Sequence, residues 1–326
     1  MRLQRFQEAD QCYLAVDYNN AWYRLSLLPT LKNIPDDVLV VMRDWEAWRD
    51  QISAGLDSAI GDSKNQMLPV PESAIPVLPF QPLSLRDCML SETHATNAAR
   101  GIVKTFMPLV YPLVCGIEKL TRRPFPALKP KAVWYQQPLY YFSNHLNIAK
   151  DGDTVHWPSY TDYLDYEIEL ACVLRKPLFN ATEAEALGAI GGFMVLNDFS
   201  ARDVQLAEMR SGFGPQKAKH FVNGLANVLT TADEILPLIQ TLKAEVMINN
   251  RVVCQSSTAD MQHSVAQVLM HLSKDEALHP GEVVGFGTLP GGCALENGHW
   301  LQAGDVIKIS IERIGSLTNT IGQRKN

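Results

Sequence analysis

The stretch Leu164-Asp165-Tyr166-Glu167-Ile168-Glu169-Leu170 runs straight into Ala171-Cys172-Val173-Leu174, and this junction constrains the fold more than any other segment. In an extended strand, side chains two apart share a face. Glu167 and Glu169 therefore point together, with Tyr166, Ile168 and Leu170 opposite. The apolar continuation shows no polar alternation, which is how a central strand covered on both faces reads. Such a strand with two acids turned inward needs a counter-charge, because an unpaired buried carboxylate is very costly. A divalent cation supplies one.

Two further stretches bring carboxylates to comparable places. Asp198 follows the apolar run Phe193-Met194-Val195-Leu196 and opens Asn197-Asp198-Phe199-Ser200-Ala201-Arg202-Asp203-Val204-Gln205. It stands at the end of a buried strand, where functional groups gather. If Ser200 to Gln205 forms a helical turn, Arg202 and Gln205 share a face and can both donate to one oxyanion. The third stretch is Leu85-Arg86-Asp87-Cys88, followed by His94-Ala95-Thr96-Asn97. A cluster of Asp and Glu oxygens selects Mg²⁺, Mn²⁺ or Ca²⁺ over Zn²⁺ or copper.

Plainer readings stand beside these. Asn-Asp is a common turn or helix cap, a single histidine is often structural, and Lys217 and Lys219 in Gly214-Pro215-Gln216-Lys217-Ala218-Lys219 fit a solvated basic face. Glu296, in Gly291-Gly292-Cys293-Ala294-Leu295-Glu296, is the candidate partner of His94. A carboxylate that accepts one imidazole N–H fixes the tautomer and strengthens the other nitrogen as a base. Sequence alone does not pair two residues so far apart.

Bulk properties narrow the partners. With 29 Lys and Arg against 35 Asp and Glu, the net charge is -6 and no dense basic run exists, which argues against nucleic acid. The six cysteines are scattered without a Cys-x-x-Cys pair and read as reduced, mostly buried thiols. The segment Met1-Arg2-Leu3-Gln4-Arg5-Phe6 lacks the apolar core of a signal peptide. No apolar run reaches the roughly 18 residues of a membrane span. A cytoplasmic, soluble protein is expected. A Gly-x-Ser-x-Gly elbow, a P-loop, Gly-x-Gly-x-x-Gly and His-Glu-x-x-His are all missing.

Along the chain, Tyr13–Val16 and Trp22–Leu25 read as strands, and Asp36-Asp37 as the cap of a helix through Val38, Val41, Trp45 and Trp48. Five prolines between 68 and 83 mark a domain boundary, giving a small N-terminal α+β domain over 1–80 and a larger one over 81–326. Residues 93–120 read as helical, kinked or interrupted at Pro108 and Pro112. Thr182 begins a helix, 246–253 resembles a hairpin turning at Asn249-Asn250, Met261 to Leu272 reads as a helix, and Val306–Ile311 alternates as a terminal strand. Abundant strands with irregularly placed helices favour an α+β fold.

Taken together, these segments resemble the fumarylacetoacetate hydrolase family from about Leu85 to Thr320. The Leu-Asp-Tyr-Glu-x-Glu and Asn-Asp-x-Ser-Ala-Arg-Asp-x-Gln blocks carry the resemblance. So does the tail, from Leu278-His279-Pro280-Gly281-Glu282 through Gly287-Thr288 and Leu301-Gln302-Ala303-Gly304-Asp305 to Ile314-Gly315-Ser316-Leu317. The resemblance implies a C-terminal domain of rolled, mixed β-sheets, a smaller N-terminal domain and a homodimer. It implies that Asp87, Glu167, Glu169 and Asp198 hold a divalent cation, Mg²⁺ first, with Ca²⁺ or Mn²⁺ as alternatives. His94 would be the general base oriented by Glu296. Arg202, Gln205 and Lys219 would line an oxyanion site, and Tyr141 and Thr288 would touch substrate.

Presence of both His94 and Glu296 tilts the expected chemistry towards hydrolysis of a C–C bond in a β-diketone acid such as an acylpyruvate. In fumarylacetoacetases a tyrosine sits where Met89 aligns, and a substrate-gripping arginine aligns near Val103, flanked here by Arg100 and Lys104. An acylpyruvate is therefore expected ahead of fumarylacetoacetate itself, with a fumarylacetoacetate-like β-diketone acid as the other expected substrate. The rivals are an oxaloacetate-type decarboxylase or tautomerase of the same family, and a non-catalytic module that binds metal and ligand.

Overall fold

In the computed structural model, which describes residues 1–61 and 69–324, most strands join one large mixed sheet. Its order is Ala21–Arg24, Gln11–Tyr18, Arg2–Glu8, Val228–Thr231, Ile190–Asn197, Ile168–Leu174, Glu282–Thr288, Ser84–Cys88 and Tyr140–Ser143. The acid-bearing Ile168–Leu174 strand is central, as its composition requires. It pairs antiparallel with Ile190–Asn197 on one side and Glu282–Thr288 on the other.

Both faces of that strand are covered. Leu170, Cys172 and Leu174 enter a core shared with Val246, Ile307, Ile309 and Ile311 of a second, five-stranded sheet. Ala171 and Val173 face Val38, Val41, Met42, Trp45 and Ile52 of the N-terminal helices. This two-sided burial is the physical reason the segment lacks alternation. The part of the chain before the proline-rich stretch is joined to the rest through that core and through the antiparallel ladder of Arg2–Gln4 with Val228–Thr230. Leu68, the first residue of the proline-rich stretch, lies outside the described residues.

Several local expectations hold, some with shifted bounds. Asp37 caps the Val38–Arg43 helix by accepting from the Leu39 N–H, and a second helix, Trp45–Gly61, continues the line. The 93–120 segment is two helices, Glu92–Phe106 and Tyr111–Thr121. Pro108 lies in the gap, whereas Pro112 sits in the first turn of the second helix, where its missing N–H costs nothing. Thr182 and Glu185 form a reciprocal capping box. Asn249 and Asn250 both adopt positive φ in the hairpin turn. The 261–272 helix starts only at Val265, because Ser264 and Gln267 make the capping box there. Val306–Ile311 is not terminal; Gly315–Ile321 follows and pairs with it.

Two helices far apart in sequence position the site. Glu92–Phe106 carries His94, and Ala294–Asn297 carries Glu296. They approach so closely that a Cβ on Gly101 would sit 2.0 Å from the Leu295 carbonyl oxygen. Among the described residues no helix is long and apolar enough to cross a membrane. Gly101→Ala is expected to force the helices apart and destabilise the fold by about 1–3 kcal/mol, the usual cost of overpacking. Urea unfolding checks this, and a variant as stable as the wild type would show that the helices separate freely.

Candidate active site

Asp87, Glu169 and Asp198 converge from three elements. The parallel ladder of Ser84–Cys88 with Glu282–Thr288 sets Asp87 opposite Gly285. Glu169 comes from the adjoining central strand, and Asp198 directly follows Ile190–Asn197. All three are buried, and carboxylate oxygens from each lie within 4.8 Å of one another. Gly285 leaves room for them: a Cβ there would stand 2.6 Å from Asp87 Oδ1 and 3.1 Å from Glu169 Oε2.

The remaining oxygens are engaged. Tyr141 donates its hydroxyl to Asp198 Oδ2 at 2.7 Å and Asp87 Oδ2 at 3.1 Å, and Thr288 donates to Glu169 Oε1 at 3.1 Å. That leaves Asp87 Oδ1, Glu169 Oε2 and Asp198 Oδ1 buried with no hydrogen-bond partner. Three orphaned carboxylate oxygens aimed at one small volume fit a hard divalent cation, which takes oxygen ligands and repays their desolvation. Burial first, and then mutual repulsion, pushes the Glu169 carboxyl well above its ordinary range. Burial likewise raises Asp198, against the pull of Lys219, and raises Asp87. Tyr141 is held neutral by burial and by the Asp198 charge.

Glu167 behaves differently. It lies in the break between Leu164–Asp165 and Ile168–Leu174, and both of its oxygens are engaged by cations. Arg202 Nη2 donates to Oε1 at 2.7 Å and Lys219 Nζ to Oε2 at 2.5 Å. Burial pushes this carboxyl up, but Arg202 and Lys219 outweigh it and hold Glu167 ionised below its ordinary range. Lys219 also bonds Asp198, so one ammonium bridges Glu167 to the orphaned cluster. Lys219 is thus buried between carboxylates and is not part of a solvated basic face.

His94 and Glu296 meet. Imidazole Nδ1 lies 2.7 Å from Glu296 Oε2, and the other oxygen of Glu296 accepts the Gly291 N–H at 2.9 Å. With a carboxylate on Nδ1, the proton belongs there and Nε2 carries the lone pair. That nitrogen faces Glu167 Oε1 at 3.8 Å, beyond hydrogen-bond reach. Arg202 and Gln205 share a helix face as expected, and Arg202 Nη1 donates to Gln205 Oε1 at 2.9 Å. Asp203 is elsewhere; it accepts from the Thr161 hydroxyl and the Asp162 N–H.

Asp165, to which the sequence assigns no role, proves central. Asp165 is fully buried and accepts four donors. Its Oδ1 takes the Tyr166 and Ala294 N–H groups, each at 2.7 Å, and its Oδ2 takes Arg202 Nε at 2.7 Å and the Leu295 N–H at 3.3 Å. The Arg202 guanidinium then reaches Glu167. Asp165 therefore ties the turn that bears Glu296 to the cationic frame around the acids. Its position inside a strand motif gives no hint of this.

Most of the site, though not Asp87 or His94, lies in residues that match a known family. The C-terminal domain of fumarylacetoacetate (FAA) hydrolase matches residues 121–322, more than half of the chain, and the protein belongs to this family. A fumarylacetoacetate hydrolase domain-containing protein 2 homolog from Dictyostelium discoideum is 31% identical over 198 residues, covering 57% of this chain and 64% of that protein. The homoprotocatechuate catabolism bifunctional isomerase/decarboxylase of Escherichia coli is 27% identical over 251 residues, covering 71% of this chain and 56% of that one. The chain thus spans somewhat over half the length of these curated relatives.

Solved structures agree on the fold. A fumarylacetoacetate hydrolase from Exiguobacterium antarcticum superposes with a TM-score of 0.69 at 20% identity, covering 99% of this chain and 100% of that one. A maleylpyruvate hydrolase from Sphingobium sp. SYK-6, solved with manganese(II) and pyruvate, gives 0.67 at 18% identity over 99% of this chain and 100% of its own. The rolled, mixed-sheet α+β architecture is that of the family.

The acid cluster predicts a distinctive pH response. Folded-state values raised above ordinary carboxylate values mean that the folded chain binds more protons than the unfolded one. Stability from Asp87, Glu169 and Asp198 is therefore present below the unfolded values of 3.8 and 4.5 and is lost as pH rises through the folded ones. Glu167 has the opposite sign, but its window lies below its ordinary value. Without divalent cation, the melting temperature should fall as pH is raised above about 4.5, and excess Mg²⁺ should restore it. A melting temperature flat in pH and indifferent to Mg²⁺ would contradict the ligand assignment.

Proposed function

We propose that this protein is a divalent-cation-dependent hydrolase that cleaves a C–C bond in a β-diketone acid of the acylpyruvate type. The observation that carries this reading is the His94–Glu296 pair set beside three orphaned carboxylate oxygens. Asp87, Glu169 and Asp198 would hold the cation, Mg²⁺ by preference, with Glu167 adjoining them. When bound, the cation supplies Lewis-acid stabilisation to the enolate that leaves.

The chain's own residues do the rest. His94 Nε2 takes a proton from water, and the resulting hydroxide attacks the acyl carbonyl carbon. The C–C bond then breaks, its electron pair leaving with the pyruvate enolate, which the proton held on His94 can quench. Glu296 keeps Nδ1 protonated and stabilises the imidazolium formed on the way. Gln205 retains its amide N–H groups for the developing oxyanion, since Arg202 holds its oxygen. Lys219 stands at the same acids and supplies positive charge. Each such donor is typically worth about 3–4 kcal/mol in the transition state. Arg202 serves by position: its nitrogens are committed to Asp165, Glu167 and Gln205.

Arg100, which flanks the position of a substrate-gripping arginine, is locked onto Glu118 by two bonds of 3.0 and 2.8 Å. That supports a substrate whose acyl end carries no carboxylate. The small keto acid is the proposed partner, with a homodimer in the cytoplasm as its setting. Isomerase/decarboxylase relatives support a second reading, an enolate-forming decarboxylase acting on oxaloacetate-like acids. It needs no attacking water and hence much less from His94.

Loss of acylpyruvate enol absorbance with Mg²⁺, reversed by EDTA and yielding pyruvate and a carboxylic acid, is the expected result. No loss alongside metal-dependent CO₂ release from oxaloacetate would replace hydrolysis with decarboxylation. Silence in both assays would favour a non-catalytic binding module. His94→Ala should abolish hydrolysis while calorimetric Mg²⁺ affinity stays near wild type. Asp198→Ala should lose that affinity, and unchanged binding there would remove Asp198 from the ligand set.

A further inference from the structure

The pair of His94 and Glu296 has a neighbour without a role in the proposed hydrolysis. Cys293 is fully buried, and its Sγ lies 3.4 Å from Glu296 Oε2. Ligand atoms of His94, Cys293 and Glu296 all fall within 4.8 Å of one another. The two clusters differ in kind. Asp87, Glu169 and Asp198 offer oxygen alone, whereas this one offers imidazole nitrogen, sulfur and one carboxylate. Nitrogen and sulfur ligands select zinc and its relatives over Mg²⁺ or Ca²⁺.

We propose that His94, Cys293 and Glu296 form a second, inhibitory metal site for zinc and similar thiophilic divalent cations, distinct from the acid cluster. Two ligands are already arranged by one turn of chain: Cys293 precedes the Ala294–Asn297 helix, and Glu296 lies within it. The Gly291 N–H fixes the far oxygen of Glu296, and Asp165 fixes the helix start. Only His94 is supplied from another element, and the close approach at Gly101 sets its distance.

Bonds of about 2.0–2.3 Å in a tetrahedral site separate neighbouring ligand atoms by roughly 3.3–3.7 Å. The 3.4 Å between Cys293 Sγ and Glu296 Oε2 meets that already. The 2.7 Å between His94 Nδ1 and Glu296 Oε2 must open by about 0.6 Å, which follows once the shared proton is gone. The proton balance is simple. The thiol proton of Cys293 leaves to solvent as the thiolate binds, and the Nδ1 proton reappears on Nε2 as metal takes Nδ1.

That last transfer is the inhibitory step. The proposed base needs a proton on Nδ1 and a lone pair on Nε2, and metal on Nδ1 enforces the reverse. Zinc would thus silence the enzyme without displacing the cation in the acid cluster. The inhibition rests on the hydrolase reading, whereas the binding does not.

The test uses the full chain saturated with Mg²⁺ and titrated with Co²⁺ as a spectroscopic probe. A near-ultraviolet thiolate-to-cobalt charge-transfer band is expected in the wild type and its loss in Cys293→Ser. No band in the wild type, or a band that survives Cys293→Ser, overturns the site. Zn²⁺ titrated against turnover should inhibit the wild type. The half-inhibiting concentration should rise at least about tenfold in Cys293→Ser, measured against that variant's own uninhibited rate, since even outer-sphere losses weaken metal affinity ten- to hundredfold. A band with turnover untouched by Zn²⁺ overturns the inhibition. A chain with no acylpyruvate turnover but a Cys293-dependent band keeps the site and refutes the hydrolase reading instead.

Discussion

A fully buried carboxylate with four donors, Asp165, is the contact on which the rest of the site depends. Arg202 is equally buried, and each would be intolerable alone, because an uncompensated interior charge costs several kcal/mol. Together they make a frame. The carboxylate steadies the first N–H groups of the Ala294–Asn297 turn, and the guanidinium carries the same order on to Glu167. The charges of Asp165 and Glu167 raise the Arg202 guanidinium still further, against burial, so the cation in this frame is permanent.

Beside this balanced frame lies a deliberately unbalanced one. Among the described residues, the ion pair that reaches Asp87, Glu169 and Asp198 is that of Lys219 with Asp198, and Lys219 is shared with Glu167. Tyr141 and Thr288 satisfy one oxygen of each acid and leave the others bare. A protein built only for stability would place apolar residues here. The surrounding strands, central and covered on both sides, supply the rigidity that keeps three repelling groups together.

Much of this was legible in the chain because it rests on local periodicity. The two-residue spacing of Glu167 and Glu169, the apolar run before Asp198 and the three-residue step from Arg202 to Gln205 each encode a direction. What the sequence hides is partner choice. Glu167 reads like Glu169, yet Arg202 and Lys219 make it a permanent anion, while Glu169 is left to share a proton or a cation. Lys219 reads as a surface lysine because its neighbours in sequence are polar. Asp165 escapes notice because two of its donors, the Ala294 and Leu295 N–H groups, lie more than a hundred positions away, and Cys293 because a buried thiol looks inert. The union of the N-terminal strands with the large sheet is hidden for the same reason, since Arg2–Gln4 find their mates at Val228–Thr230.

The parallel pairing of Ser84–Cys88 with Glu282–Thr288 has a consequence for the order of assembly. Asp87 opposes Gly285 only in one register, and a slip by a single residue would turn Arg86 towards the acids in place of Asp87. That ladder joins strands almost two hundred positions apart, among the most distant pairings in the molecule, and distant pairings close late. The acid cluster is therefore complete only once this distant pairing has closed. A cation held by all three carboxylates, as proposed, would recognise the finished chain and not its precursors, so its occupancy would act as a seal on correct topology.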